Sequence, residues 1–548
     1  MFRIISWFII FFACFYGIGS YPLLDNNEGM YATIARDMLK SGQFIIPNFG
    51  GIPYLEKPPM LYWLMAGSMS LFGINEWAAH LIPAAAFFLT AGLIQRFTFR
   101  VTGSEAAGFA AAIMLVTSLP MLVWGRQVLC DMVMTCFFSA ALFQFYGWYT
   151  NRNKRRLLGF YAFLALAVLT KGLLPLILAG GVILVFLLWQ REPLQGYFKI
   201  LSPLGILLFF FIAAPWHIAA SIQHPGFAWF YFINEHLLRF LNKREPHDYH
   251  TGPFWYYLPR ILIYLMPWTL FLLIFTRKPK PSSSPYPVLA RFLWSWFFFC
   301  LVFFSIGGSK ANYYMIAGMP ALVILVALHI KTYMDLGDRA ARSLTAGGLS
   351  LILVILWFVH FFCSESNGDL FATCQDVSWP YIIGSGMYCF AAIALCWRIP
   401  QRWLAPLLGS HILLVLPLLI AGVTIVSEKI SQKTVAESLK ASYGNNVVIY
   451  QEFENLSALA FYLERQPVIV DSHSDDLLYG QHQPSGKPYF MSLDEWIAHK
   501  PYLPMVVFKK SLDNTMYRLY TMHVDLQGVC ILHRFEQVAI ISMCDHVH

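Results

Sequence analysis

Long apolar stretches alternate with short polar breaks through the first three quarters of the chain. About 13 of these stretches approach the roughly 20 residues that a helix needs to cross a bilayer core. They fall near 4–22, 80–98, 105–122, 130–149, 157–171, 173–190, 200–220, 256–276, 290–307, 313–331, 344–363, 380–397 and 404–426. Between 23 and 79 the pattern differs. Met30, Ile34 and Met38 recur at helical spacing within Glu28–Leu39, with Asn26 or Asn27 as N-cap. That predicts an amphipathic helix lying in the membrane interface. Pro58–Phe72 is apolar but short, and also reads as interfacial. Beyond 427 helix-like runs (Thr434–Ser442, Leu456–Leu463) alternate with strand-like ones (Asn446–Tyr450, Pro467–Val470, Pro504–Phe508). This predicts an all-α polytopic membrane domain over 1–427, followed by a small α/β domain over 428–548.

Composition agrees. Of 548 residues, 58% are apolar and only 12% charged, against about 25% charged in ordinary soluble proteins. Residues 1–427 hold 28 basic and 16 acidic side chains, a net of +12, while 428–548 carry −4. The overall +8 forms no basic stripe, so nucleic acid is excluded as a partner. The cations orient the chain. Arg3, Arg96 with Arg100, the run 152–156, Arg191, the run 277–280, Lys331 with Arg339 and Arg342, and Arg398 with Arg402 all fall on one side of a 13-span arrangement. That is the positive-inside rule obeyed seven times. It places the N-terminus in the cytoplasm and the C-terminal domain across the membrane. The first span reads as an uncleaved anchor, lacking a small-residue cleavage site. Six cysteines sit in spans as buried small hydrophobes. Cys363 with Cys374 and Cys530 with Cys544 could form two disulfides on an oxidising face, with free thiols the equal alternative. No Cys/His zinc spacing occurs.

Chemistry collects on the outer side. Asp131 is an acid inside an apolar span, following Arg126. Lys171 closes the fifth span and Trp216-His217 the seventh. The outer loop 221–255 carries Glu235, His236, Arg239, Lys243, Arg244, His247, Asp248 and His250. Ser309-Lys310-Ala311-Asn312-Tyr313-Tyr314 opens the tenth span. Each lone cation also reads as a snorkelling interface residue, and Asp131 as an ion-pair partner of Arg126 or Lys171. Acids and cations from five segments on one face suit a lipid-phosphate substrate: cations neutralise phosphate, and a carboxylate positions or deprotonates an acceptor. A lipid or drug transporter, the rival class, would place ionisable residues at the midplane on broken helices of repeated halves. No internal repeat is present.

These residues resemble membrane glycosyltransferases that use polyprenyl-phosphate sugars: the lipid A aminoarabinose transferases and, more distantly, the protein O-mannosyltransferases. LLDNNEGMYATIARDM, YLEKPPMLYW, VLCDMVM, LTKG, EHLLRF with PFWYYLP, FSIGGSKANYYMIAGMPAL and DLLYGQHQPSGKPYFMSLDEW carry the likeness nearly end to end. The resemblance implies the C-type glycosyltransferase fold in a bacterial inner membrane, with active site and C-terminal domain on the periplasmic side. It implies a monomer that passes a sugar with inversion from undecaprenyl phosphate to lipid A, blunting cationic antimicrobial peptides. Transfer of a hexose to a protein or polysaccharide hydroxyl is the alternative.

Residue by residue, Lys57, Arg239 and Lys310 match the family's phosphate-binding cations, and Tyr314 matches its hydrogen-bonding tyrosine. Tyr31, the tyrosine of the first motif, and Lys171, the lysine of T-K-G, join the expected substrate-binding set. Asp131 matches the second acid. Glu56 and His236 match a carboxylate and an imidazole that the family places near a divalent metal, zinc or magnesium. The family's catalytic aspartate falls on Asn27, and an amide is no general base. Either the neighbouring Glu28, preferred as the essential carboxylate with Asp25 close by, serves a hydroxyl acceptor, or the acceptor is a phosphate that needs no base. Glu28 as a first-turn residue facing its helix dipole is the structural alternative.

Overall fold

A computed structural model describes the chain except residues 25–26, 246–251, 277–285, 336–338, 366–368, 445, 452–455, 466, 473–476, 500–502, 523, 525–528, 536 and 544–548. Asp25, His247, Asp248, His250 and Cys544 therefore lie outside the described residues, as do the side chains of Cys363 and Cys374. Cys530 is disulfide-bonded.

The fold is mostly helical, and each apolar run of the sequence overlaps helix, although the first, 4–22, is helical only as far as Phe15. Among the described residues five helical segments are individually long and apolar enough to cross a membrane: Glu76–Thr102, Pro203–Gln223, Pro287–Ile306, Tyr314–Lys331 and Gln401–Thr424. Several other runs are divided. The run 105–122 breaks at Ser118, and a short second helix, Leu119–Trp124, follows with Pro120 in its first turn. The run 256–276 ends its α-helix at Tyr264, ahead of Pro267, and resumes as a 3-10 segment, Trp268–Thr276. Proline lacks the N–H that continues a helical ladder.

The helix Asn27–Ser41 corrects an expectation. An interfacial helix would leave one face open, yet residues 28–36 are all buried. The opposite face is covered by Ser457–Leu463, so closely that a Cβ on Gly29 would lie 2.3 Å from the Ala458 nitrogen. Arg36, 1% exposed, donates from Nη1 to the carbonyls of Ala460 (2.7 Å) and Phe461 (2.9 Å). These are carbonyls at the C-terminal end of Ser457–Leu463, where the helical ladder runs out; the Phe461 carbonyl also accepts from the Glu464 N–H.

Residues beyond 432 form a six-stranded sheet. Its order is Phe490–Met491, Val468–Val470, Val448–Tyr450, Met505–Phe508, Val538–Met543, Val529–Arg534. The first four strands are parallel and the last two antiparallel. Val435, Leu439, Ile449 and Leu459 share one hydrophobic cluster with Met30, Ile34 and the membrane helices. Tyr479 stacks on Phe230, centroids 4.5 Å apart. The sheet unit is thus packed onto the helical part over Asn27–Ser41, over the 229–238 segment, at Glu76 through Lys433 and Tyr462, and at the hairpin where Gly480 meets Pro53.

Candidate active site

A cavity of about 430 Å³ opens where six separate segments meet. Asn27 and Tyr31 enter it one helical turn apart, at the start of Asn27–Ser41. Tyr54, Glu56 and Lys57 follow the small hairpin Asn48–Phe49/Ile52–Pro53. Asp131 sits in the first turn of Cys130–Asn151, and Lys171 ends Lys154–Lys171. Each charge has the sign its helix end favours. Glu235 and His236 lie on a ten-residue π-helix, Trp229–Leu238, with Arg239 as its C-cap. Such wide turns recur at functional sites because they re-aim side chains. Tyr313 and Tyr314 close the ring, and Leu173, Ile177, Phe232, Leu237, Phe240 and Phe303 form an apolar side.

Four cations and three carboxylates line the cavity. Arg244 bridges Glu56 (Nη2 to Oε1, 2.5 Å) and Glu235 (Nε to Oε1, 2.6 Å). Arg239 holds the second Glu235 oxygen at 3.1 Å. Lys57 is 3.4 Å from the second Glu56 oxygen, the loosest pair of the group. Lys171 pairs directly with Asp131 and lies over the Tyr314 ring, 4.9 Å from its centroid. Every carboxylate in the cavity therefore already faces a cation, and one positive charge is in excess. Burial lowers Arg244, but Glu56 and Glu235 outweigh it and raise the guanidinium above its ordinary value. Burial pushes the Glu56 carboxyl above the usual range, against the pull of Arg244.

Two expected site residues are placed elsewhere. Glu28 does not enter the cavity. It is 1% exposed and accepts from the Leu24 N–H and the Val128 N–H, both at 3.0 Å, with His80 Nε2 3.5 Å away. Successive helical residues point about 100° apart, so when Asn27 faces the cavity Glu28 cannot. Glu28 instead ties the start of its helix to Val128, in the loop that leads into the helix carrying Asp131. Lys310 is also diverted. Its ammonium donates to the carbonyls of Phe304 (2.8 Å), Ser305 (2.7 Å) and Gly307, closing the end of Pro287–Ile306. Three N–H groups meet three carbonyls that the helix end leaves unpaired.

The residues expected near a metal are placed as follows. His236 donates from Nδ1 to the Tyr231 carbonyl (2.6 Å) and accepts on Nε2 from the Leu173 N–H (3.0 Å). Its one lone pair is taken, and both Glu56 oxygens face cations. As placed, the pair does not fit a metal. Burial pushes His236 down to about 4, so it is neutral at pH 7. Gly172 makes this fit possible: it sits at φ +68, and a Cβ there would lie 2.1 Å from Nε2.

Of the remaining sequence candidates, Asn27, Tyr31, Lys57, Asp131, Lys171, Arg239 and Tyr314 are brought together; Asp25 lies outside the described residues. Sequence reasoning gave no role to Arg244, Glu235 or Tyr54. The only signal for the first two was the surplus of charge in one loop.

The model of the dolichyl-phosphate-mannose-protein mannosyltransferase family matches residues 56–218. The undecaprenyl phosphate-alpha-4-amino-4-deoxy-L-arabinose arabinosyl transferase of Aeromonas hydrophila is 29% identical over 422 residues, covering 72% of this chain and 76% of that protein. Its counterpart in Erwinia tasmaniensis is 27% identical over 520 residues, 89% of each. The crystal structure of ArnT from Cupriavidus metallidurans bound to undecaprenyl phosphate superposes with a TM-score of 0.83 at 21% identity, covering 98% of this chain and 97% of that one. The chain thus resembles the aminoarabinose transferases in sequence, and shares their fold.

Proposed function

We propose that this enzyme moves 4-amino-4-deoxy-L-arabinose from undecaprenyl phosphate to a phosphate of lipid A at the periplasmic face of the inner membrane. The observation that carries the reading is the charge pattern of the cavity: four cations, three carboxylates all engaged with them, and an amide at position 27. Such a site handles phosphates and has no carboxylate to spare as a base. A phosphate acceptor is already ionised at neutral pH and needs none.

In this reading the donor's phosphate lies against Lys57 and Arg239, and its polyprenyl chain leaves along Leu237, Phe240 and Ile177. Lys57 is the cation most easily recruited, since its Glu56 contact is the weakest. An acceptor phosphate oxygen attacks the anomeric carbon from the opposite side. The new C–O bond forms as the bond to the lipid phosphate breaks, and that phosphate leaves with the electron pair. Configuration inverts, and no proton moves. The cations matter most as charge builds on the leaving phosphate. Asn27 and Tyr31 hydrogen-bond the sugar or acceptor, and Asp131 holds Lys171 in place.

The same proposal takes residues 1–427 as a membrane domain of 13 crossings, and 428–548 as a periplasmic domain over the cavity mouth, in a monomer. Enzyme in nanodiscs, given undecaprenyl phosphate-aminoarabinose and lipid A, tests the function. Mass spectrometry should show aminoarabinose added to lipid A, and Lys57→Ala should raise the donor KM at least about tenfold, as loss of one charged contact to phosphate costs. Unmodified lipid A alongside a glycosylated hydroxyl acceptor would overturn the reading.

A further inference from the structure

Residues 477–489 belong to one of the stretches that stand out in the sequence, yet none of them lines the active-site cavity. They fold into a compact cluster of turns. Leu478–Gln481 is a short helix and Lys487–Tyr489 a 3-10 turn. Between them the Gln483 N–H donates to the Gly480 carbonyl (3.1 Å), and the Tyr489 N–H donates to the Gly486 carbonyl (3.1 Å). Gly486 is pressed so closely on Gly480 that a Cβ on it would collide with the Gly480 oxygen. Only glycine permits that approach.

Two arms of the active site meet this cluster. The first is the hairpin Asn48–Phe49/Ile52–Pro53. Gly480 lies on its second strand, where a Cβ would collide with the Pro53 carbonyl, and Tyr489 covers Gly51 at its turn, which stands at φ +98. Pro53 leads directly into Tyr54, Glu56 and Lys57 of the cavity. The second arm is the π-helix Trp229–Leu238. Tyr479 stacks on Phe230 in its first turn, rings 25° apart, and donates from its hydroxyl to the Pro225 carbonyl at 3.2 Å. That helix carries Glu235 and ends at Arg239. Tyr479 and Gly480 are neighbours in one short helix, so a single rigid turn touches both arms. Inside the cavity the same two arms are joined by Arg244, through Glu56 and Glu235. Their spacing is therefore set from two sides: by charge within, and by ring stacking and backbone contact without.

We infer that Tyr479 and Gly480 are positioning residues, a latch by which the C-terminal domain sets the spacing of Lys57 and Arg239 for the phosphate of the polyprenyl lipid. The inference rests on the proposed role of those two cations. Charge-assisted bonds to phosphate form at about 2.7–2.9 Å, and a misplacement of about 1 Å from a distant change can cost about a hundredfold. A contact outside the cavity can thus govern affinity inside it. Tyr479 acts through Phe230 on Arg239, and Gly480 acts through Pro53 on Lys57.

The full-length protein in detergent, titrated with undecaprenyl phosphate and separately with undecaprenol and read by native mass spectrometry, tests the inference. An aromatic pair holds its arrangement by roughly three- to tenfold in population, so Tyr479→Ala should raise the Kd for undecaprenyl phosphate about fivefold. Undecaprenol, which has no phosphate, should bind the variant and the wild type alike. Tyr479→Phe keeps the ring and should stay within about twofold of wild type. Gly480→Ala presses a methyl group on the Pro53 carbonyl and should weaken phosphate binding about as much; it keeps the test valid should Tyr479→Ala not fold. Lys57→Ala and Arg239→Ala run in parallel. A fall in the fraction of protein that binds, with Kd unchanged, would mean that Tyr479 only stabilises the fold, and overturns the inference. Equal weakening of undecaprenol also overturns it. An unchanged Kd in both latch variants, while Lys57→Ala and Arg239→Ala raise it, overturns the latch alone. An unchanged Kd in Lys57→Ala and Arg239→Ala overturns the phosphate reading, and the latch with it.

Discussion

Arg244→Ala is the most informative single change. Arg244 joins Glu56 and Glu235 at 2.5 and 2.6 Å, and these carboxylates are only 4% and 6% exposed. Removing one partner of a buried ion pair costs about 3–5 kcal/mol, because the other charge is left uncompensated. Two such penalties do not add here. Glu235 keeps Arg239, and Glu56 can draw Lys57 closer than its present 3.4 Å. One penalty, about 3–5 kcal/mol, is therefore expected. The same shift withdraws Lys57 from the proposed phosphate site, so the donor KM should rise. The loss has a pH signature. Burial already raises Glu56, and without Arg244 it rises further. A carboxyl whose folded value lies above its unfolded one stabilises fully below the unfolded value, near 4.3, and loses that contribution as pH climbs through the folded value. The variant should be weakest near pH 8 and recover toward pH 5. Thermal unfolding in detergent at a fixed scan rate, from pH 5 to 8, measures this. Pairing Arg244→Met with Glu56→Gln should restore much of the stability, since a neutral pair leaves no buried charge. A variant within about 1 kcal/mol of wild type at pH 7.5, below the range for a broken buried pair, or equally weak at every pH, would refute the electrostatic account.

Other outcomes follow from the same geometry. Glu28→Gln should cost about 1–3 kcal/mol, because one of two backbone N–H groups loses its acceptor. At temperatures where the variant is folded its kcat should stay within about threefold, since a group outside the cavity makes no contact that differs in the transition state; a hundredfold loss at unchanged stability would restore Glu28 to catalysis. Gly29→Ala should destabilise by about 1–3 kcal/mol, since its Cβ would overlap the Ala458 backbone, and limited proteolysis should then release the C-terminal domain first. His236 is depressed to about 4 in the fold, so its contribution is present above about 6.5 and falls away as pH drops toward 4, by up to about 3 kcal/mol. His236→Gln should flatten that part of the stability profile; an unchanged slope would contradict the buried, neutral imidazole.

Much was legible in the sequence. Apolar runs of bilayer length determine helices almost regardless of context, because lipid offers the backbone no other partner. Short-range motifs likewise delivered Asn27, Lys57, Asp131 and Lys171 to one cavity, since each lies at a helix end or tight turn whose direction is local. Three-dimensional packing decided the rest. Whether Asn27 or Glu28 faces the cavity depends on the rotation of one helix, fixed by Ala458 from the other end of the chain. Whether Lys310 meets a phosphate or its own helix end depends on which carbonyls lie within reach. Arg244 gained its role only when Glu56, 188 residues away, was folded beside it. The sequence by itself determined which elements exist and which charges are present. Only the tertiary structure decided which charges pair, because burial makes an unpaired charge so costly that each takes whatever partner the packing brings near.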